Sequence, residues 1–326
     1  MLPHRLKKLR WGVAGCGKYT ETDFLSSFQQ LKRSTAVAVF SHDINRAKCI
    51  ADKFAAPHAF NDYDEFLKSD FNALYIGSNN ADHYWQVIKA AKAGKNILCE
   101  KPLALNSTQA KEMVEVCEKH GVYLMLNYNN RFHPLIQKTK ELLSKQMLGK
   151  LISVSAAFNI DLPPNENFRF KKELSGGGAM RDLGTHMIDT LRYIGGEIKD
   201  GCGYIDNVIY MGEVDDFASG MLKFATGGYG YFNVSFNCKK AFNRIEVVGH
   251  KGCLSIENVI GKKNAPAKLI INLDGEAKRA FRRRANKQTL LLRDFQHAIL
   301  KREPPLISGR DGLINMQIME KLENKK

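Results

Sequence analysis

Three short stretches hold residues whose types and spacing could do chemistry. In Gly12-Val13-Ala14-Gly15-Cys16-Gly17-Lys18-Tyr19-Thr20, two glycines stand one residue apart between an apolar run and a helical pattern. Gly15 permits a tight turn there, and Gly17 lets backbone N–H groups at a helix N-terminus approach a pyrophosphate. Gly15, Cys16, Gly17, Lys18 and Tyr19 therefore read as a dinucleotide-phosphate turn, with Thr20 replacing the usual third glycine. Without the flanking strand and helix, the same residues would be an ordinary turn. Glu100-Lys101-Pro102 follows a later apolar run, Asn96–Cys99, at the strand end where open α/β sheets bind ligands. Pro102 ends the strand and fixes the direction of Lys101, which in isolation would be a surface lysine. Asp182 and His186 lie four apart and so share one helical face. Gly176-Gly177-Gly178 just ahead of them permits close approach to a ligand or to the cofactor domain. Taken alone, the Asp182/His186 pair would be a helix-surface ion pair, and Asp189, a turn further on, has no firm role.

The end of the second apolar run bears on which dinucleotide fits. NAD-specific sites carry an acid there for the ribose 2′-hydroxyl. Here the run ends Phe40-Ser41-His42-Asp43, with Arg46 close by. Ser41 does not repel a 2′-phosphate, His42 and Arg46 can pair with one, and Asp43 stands where a helix N-cap belongs. The expected cofactor is NAD(P), with NADP favoured over NAD.

These groups need a scaffold. Up to residue 128, short apolar runs alternate with helical patterns. Strands are expected at Leu9–Ala14, Ala36–Phe40, Asn72–Ile76, Asn96–Cys99 and Val122–Asn127. Helices are expected around Asp23–Leu31, from Asp43 to Ala55, over Ala81–Ala93 and from Asn106-Ser107-Thr108 to His120. That alternation predicts βαβ units and a doubly wound parallel sheet over residues 1–128. From about Lys150 the texture changes. A helix over Gly178–Ile194 is followed by strand-like runs at Tyr204–Met211, Phe217–Phe224, Gly230–Phe236, Arg244–Val248, Cys253–Glu257 and Lys268–Leu273, then a helix over Leu290–Lys301. Thr226-Gly227-Gly228 and His250-Lys251-Gly252 suit hairpin turns. Residues 129–326 are expected to form a second, α+β domain built on a large, mainly antiparallel open sheet.

With the elements in place, the sequence resembles the Gfo/Idh/MocA oxidoreductase family, which includes glucose–fructose oxidoreductase and inositol dehydrogenase. The resemblance runs nearly end to end. Gly94–Pro102 is similar to the family's Glu-Lys-Pro signature, Arg131-Phe132-His133-Pro134 to the segment leading into its second domain, and Gly176–His186 to its catalytic helix. The resemblance implies hydride transfer between nicotinamide C4 and a sugar, cyclitol or related polyol or carbonyl compound. His186 would be the general base, Lys101 would stabilise alkoxide charge on the same oxygen, and Asp182 would orient substrate and hold Lys101. Histidine at 186, where some sugar-oxidising branches carry tyrosine, favours the inositol-like arrangement. Ser78-Asn79-Asn80 stands where Thr-Pro is common in the loop beneath the nicotinamide. Ser78, Asn79, His83 and Glu100 are accordingly expected to serve the cofactor. Two other readings are a cofactor-binding regulator without turnover and an NAD-dependent glycosidase or epimerase-like enzyme; the joint presence of Lys101, Asp182 and His186 speaks against the regulator.

Composition excludes several classes. Among 326 residues, 44% hydrophobic and 25% charged content is that of a globular protein rather than a disordered one. The seven cysteines are odd in number and scattered, which argues against a disulfide framework or a structural metal site and for a cytoplasmic setting. Met1 to Arg10 is basic with no apolar stretch behind it, so no secretory signal is expected. No run of about 18 apolar residues suggests a membrane span. The net charge of +15 is spread along the chain, so no nucleic-acid partner is expected. The dense cluster Lys278, Arg279, Arg282, Arg283 and Arg284 reads as a solvated loop or strand end, with an anionic ligand or partner as the alternative. A homodimer or homotetramer through the open sheet is expected, since one sheet face would otherwise be bare.

Overall fold

The structure, a computed structural model, describes residues 8–261 and 265–324; most of the basic N-terminal stretch lies outside them. Contacts divide the chain into two compact units. One runs to Asn127 and takes up Gln288–Leu313, and the other holds Tyr128–Lys287 and the residues from Ile314. The sequence places the whole of 129–326 in a single second domain; in the structure Gln288–Leu313 groups with the first unit.

The first unit is built on six parallel strands: β1 (Leu9–Ala14), β2 (Ser34–Phe40), β3 (His58–Phe60), β4 (Ala73–Ile76), β5 (Asn96–Cys99) and β6 (Leu124–Leu126). Their order is β3-β2-β1-β4-β5-β6. The chain moves outward from β1 in one direction and then in the other, so the crevice at the carboxyl ends of β1 and β4 is the switch point where such sheets take ligands. In β1 every residue but Arg10 is buried, as expected of a strand covered on both faces. Trp11 anchors the core on one side, with ring centroids 5.8 Å from Phe28 and 5.4 Å from Phe295. Asp43 caps the helix Ile44–Phe54 by accepting from the Asn45 and Arg46 amides, and Asn106 caps Ser107–Lys119 through the Gln109 amide. Gly94 and Gly121, both at positive φ, follow the helices they stop.

The second unit carries eight strands: β7 (Leu151–Asp161), β8 (Ile198–Asp206), β9 (Phe217–Phe224), β10 (Tyr229–Ser235), β11 (Asn237–Gly249), β12 (Gly252–Glu257), β13 (Ala267–Leu273) and β14 (Arg279–Arg283). They run β14-β13-β12-β11-β7-β10-β9-β8, antiparallel throughout except for β7 against β10. Phe224, Phe232, Val234, Ile245, Val247, Leu254, Ile256, Leu269 and Ile271 are buried, while the residues between them are more open, which is the alternation of a sheet covered on one face. The helix Thr185–Gly195 packs on β7 and β10.

Several expectations need correction. The strand expected at Tyr204–Met211 ends at Asp206, because Asp216 draws the Val208, Ile209 and Tyr210 amides into a loop. The helix expected from Gly178 begins as a π-helical turn over Met180–Gly184 and becomes α-helical only at Thr185. The basic cluster, expected as a solvated loop or strand end, lies on and beside strand β14, an exposed sheet edge where cations discourage edge-to-edge pairing. Among the described residues, no helix is long and apolar enough to cross a membrane.

Candidate active site

In the first unit, the glycine turn joins β1 to a helical stretch starting at Thr20. Gly15 has φ +91°, and a Cβ on it would lie 2.3 Å from the Ser78 nitrogen. Only glycine allows the turns after β1 and β4 to come this close. Thr20 takes the place of the third glycine in a different way, donating its hydroxyl to the Gly15 carbonyl at 2.8 Å. Gly17 has no atom within 4 Å of its would-be Cβ, so its open side faces away from packed protein. Cys16 points inward: its thiol lies 3.6 Å from the Phe40 carbonyl, and burial pushes its pKa up to about 11. Only its backbone is left for the turn's surface.

At the end of β2, Asp43 is spent on its cap, as expected. Ser41 is half-buried, accepting from the Asp43 amide at 3.3 Å, and His42 is exposed with Nε2 3.5 Å from Asp82 Oδ2. Arg46 lays its guanidinium against the glycine turn and donates to the Cys16 carbonyl at 2.8 Å. The turn thus gathers a helix N-terminus, Lys18 and Arg46, a donor set that suits the phosphates of a dinucleotide.

After β4, Ser78 donates to Gln86 Oε1 at 2.7 Å and Asn79 caps the helix Asn80–Lys92, so both side chains serve that helix. His83 is wholly buried within it. Its Nδ1 lies 3.0 Å from the Pro102 carbonyl, and burial holds its pKa near 4 although the Pro102, Ser78 and Leu103 carbonyls favour the proton. Lys101 is half-buried between Glu100 and Pro102, and its peptide bond to Pro102 is cis.

The Glu100 carboxylate accepts from the Tyr75 hydroxyl at 3.0 Å and from Asn127 Nδ2 at 2.5 Å. Burial raises its pKa, against the pull of Asn127, Lys101 and Tyr75. Asn127 also reaches Tyr19 at 3.5 Å, and Tyr19 donates to Gln288 Oε1 at 3.0 Å. A hydrogen-bonded row therefore crosses the carboxyl ends of β4, β5 and β6. Tyr75, Asn127 and Gln288 escape sequence reasoning, because none sits in a motif and Gln288 is 269 residues from its partner.

In the second unit, every residue from Gly178 to Arg192 is buried except Asp182 and His186. Both are half-exposed, and their spacing puts them on one face of an otherwise enclosed helix. The helix start is clamped. Asp215 accepts from the Gly178 and Met180 amides, each at 2.7 Å, while its carbonyl takes the Ala179 amide at 2.9 Å. A Cβ on Gly178 would fall 1.9 Å from that carbonyl, which explains the last of the three glycines. Arg181 pairs with Glu323 at 2.5 Å. Beside His186, the Tyr128 hydroxyl bonds Thr185 Oγ1 at 2.8 Å, and the Tyr128 and His186 rings meet edge to face at 6.3 Å.

Asp182 pairs with Arg169 at 3.3 Å, on the loop after β7. Arg169 was not singled out by its sequence context; only its place in a loop ahead of the glycines could have drawn notice. Asp189 is buried in an ion pair with Arg131 at 2.6 Å and accepts from Asn315, so its work is structural. Among the described residues, no group of three or more His, Cys, Asp or Glu could hold a metal.

Two partial-chain family models match. Residues 9–128 fit an oxidoreductase family with an NAD-binding Rossmann fold, and residues 136–255 fit the GFO/IDH/MocA C-terminal domain. The chain is 33% identical over 273 residues to trans-1,2-dihydrobenzene-1,2-diol dehydrogenase of Mus musculus, covering 83% of this chain and 79% of that one. It is 27% identical to 1,5-anhydro-D-fructose reductase of Ensifer adhaerens, covering 93% and 92% of the two chains. The crystal structure of aldose-aldose oxidoreductase from Caulobacter crescentus superposes with a TM-score of 0.89 at 23% identity, over 98% of this chain and 97% of that one. The strand order around the glycine turn, the two matched domains and the mouse relative agree, and the chain belongs to the Gfo/Idh/MocA family of NAD(P)-binding oxidoreductases.

Proposed function

We propose that the protein is a dehydrogenase or reductase that moves a hydride between NADP and a sugar, cyclitol or diol. When bound, the nicotinamide supplies the hydride acceptor or donor at C4. In the oxidative direction, His186 takes the proton of the reacting hydroxyl while the hydrogen on the same carbon leaves as hydride. The Lys101 ammonium donates a hydrogen bond to that oxygen and stabilises its developing negative charge. Asp182, held by Arg169, orients the substrate through its neighbouring hydroxyls. The observation that carries this reading is the exposure pattern of the helix over 178–192, which leaves only Asp182 and His186 open. The diol and anhydro-sugar names of the two relatives support the substrate class.

NADP is preferred on the residues at the end of β2. Asp43 is engaged as a helix cap, Ser41 carries no charge, and the His42 ring and the Arg46 guanidinium offer partners for a 2′-phosphate. The free thiols suit a reducing, cytoplasmic setting. The open face of the eight-stranded sheet exposes Tyr204, Met221, Tyr229, Tyr231 and Val248 and also carries Arg244, Glu257 and Lys268. Apolar groups interleaved with both charge signs can complement themselves across a two-fold axis, so a second copy is the expected occupant.

The test is a panel of trans-1,2-dihydrobenzene-1,2-diol, 1,5-anhydro-D-fructose, aldoses and cyclitols with both cofactors. Steady growth or loss of reduced-nicotinamide absorbance supports the assignment, and Lys101→Ala should lower kcat at least ~100-fold while cofactor binding stays near normal. Cofactor binding without turnover across the panel would point to a regulator. A near-normal kcat in Lys101→Ala would overturn the mechanism, and tighter binding of NADH than NADPH would overturn the cofactor preference.

A further inference from the structure

We infer that His83 is a positioning residue for Lys101: its imidazole ties the helix Asn80–Lys92 to the Pro102 carbonyl and so fixes the backbone from which Lys101 projects. The inference rests on the role proposed for Lys101. Lys101 is bracketed. On its N-terminal side, Glu100 is anchored through its amide to the Ile76 carbonyl at 2.9 Å and through its carboxylate to Tyr75 and Asn127. On its C-terminal side, the Pro102 carbonyl meets His83 Nδ1 at 3.0 Å.

Because a carbonyl can only accept, Nδ1 must carry the hydrogen, and the neutral ring is then the Nδ1–H tautomer. His83 is wholly buried, so it touches neither solvent nor substrate and acts through the backbone alone. Leu103 and Ala104, next along the chain, are fully buried as well, so the tethered segment enters the core directly beyond Pro102. A buried ring held in its neutral form keeps its Nδ1 donor aimed at the Pro102 carbonyl at every pH near neutrality, which agrees with a pKa near 4. A small displacement of a catalytic group can cost roughly 100-fold in rate, so the tether need move Lys101 only slightly to matter.

Three variants separate positioning from packing. Asparagine places an N–H near Nδ1, glutamine places it near Nε2, and phenylalanine fills the space without a donor. With trans-1,2-dihydrobenzene-1,2-diol and NADP+, His83→Gln and His83→Phe should lose ~10- to 100-fold in kcat. KM and the NADPH dissociation constant should stay within about twofold, and His83→Asn should recover most of the loss. Equal losses in all three variants, or losses that follow melting temperature or cofactor affinity, would overturn the inference.

A measurement on the unaltered protein covers the case in which the variants fold poorly. Long-range nitrogen–proton correlation spectra of histidine-labelled protein should show His83 as the Nδ1–H tautomer at pH 7.5, and an Nε2–H tautomer overturns the inference whatever the activities. The tautomer is read without turnover. A wild-type rate in Lys101→Ala would sink the assignment of Lys101, whereas an inactive Lys101→Ala beside fully active His83 variants would sink this inference alone.

Discussion

Gly15 and Gly17 are one residue apart in the same turn, yet alanine at each should fail in opposite ways. At Gly15 a Cβ would stand 2.3 Å from the Ser78 nitrogen and 2.4 Å from the Gly77 carbonyl carbon, and both are backbone atoms that cannot swing aside. The residue also sits at φ +91°. The left-handed backbone costs an L-residue roughly 1–2 kcal/mol, and forcing a methyl into packed backbone costs about 1–3 more. Gly15→Ala should therefore lose ~2–5 kcal/mol, which lowers the melting temperature of a unit this size by roughly 5–15 °C. At Gly17 nothing lies within 4 Å of the new methyl and the backbone is not left-handed. Gly17→Ala should be neutral or stabilising by about 0.4–1 kcal/mol, because it narrows the unfolded ensemble.

Binding should reverse the order of surprise. If the phosphates pass over the open side of Gly17, the methyl holds them off the backbone amides, and the NADPH dissociation constant should rise at least ~10-fold, about 1.4 kcal/mol. Thermal unfolding and fluorescence titration with NADPH measure both quantities on the same samples. A Gly17→Ala protein that melts like the wild type but binds NADPH equally well would refute the placement of the phosphates. A Gly15→Ala protein as stable as the wild type would refute the close approach of the β1 and β4 turns.

Other outcomes follow from burial and charge. His83 and His133 are both held near pKa 4 by burial, against 6.5 for a free histidine. The unfolded chain then binds protons that the folded one does not, so the contribution of these two rings to stability should be complete above pH 6.5 and be lost toward pH 4, His83 alone accounting for ~3 kcal/mol. Urea unfolding at pH 7, 5.5 and 4.5 checks this, and a flat profile would count against both buried rings. Lys287 donates to Asn130 at 2.7 Å and to the Val259 carbonyl at 2.9 Å, and burial lowers its pKa to about 7. The same sign applies, so stability should rise between pH 7 and 10, and Lys287→Met should abolish that rise. Tyr231→Asp on the open sheet face should shift sedimentation toward the monomer, and wild-type protein that is already monomeric at micromolar concentration would remove the second copy from the account.

Where a segment's own pattern decides its structure, the sequence was readable. β1, β5 and β9 begin and end where their apolar runs do. Asp43, Asn106, Gly94 and Gly121 act as the caps and stops their types suggest. What stayed hidden depends on partners far away in sequence. Strand β3 is three residues at a sheet edge, too short to carry a period. The helix Gly309–Asn324 opens with two glycines that argue against helix locally. Their reason is tertiary, since a Cβ on Gly309 would lie 2.8 Å from Leu124 and one on Gly312 would lie 3.0 Å from Leu126.

The candidate site divides along the same line. Gly15, Lys101, Asp182 and His186 stand in contiguous motifs because a turn, a strand end and a helix face are local objects. The groups that hold them are not local. Asp215 clamps the start of the Asp182 helix from 37 residues away, His83 reaches the carbonyl beyond Lys101 across 19, and Gln288 meets Tyr19 across 269. A reacting group is constrained by the chemistry it performs, which restricts its type. A supporting group needs only a donor or an acceptor in the right place, and many residue types and sequence positions can supply that. Motifs therefore expose the proposed reacting groups before they expose the groups that support them, and substitutions at Asp215 or His83 are the more direct probes of how firmly the Asp182 helix and the Lys101 backbone are held.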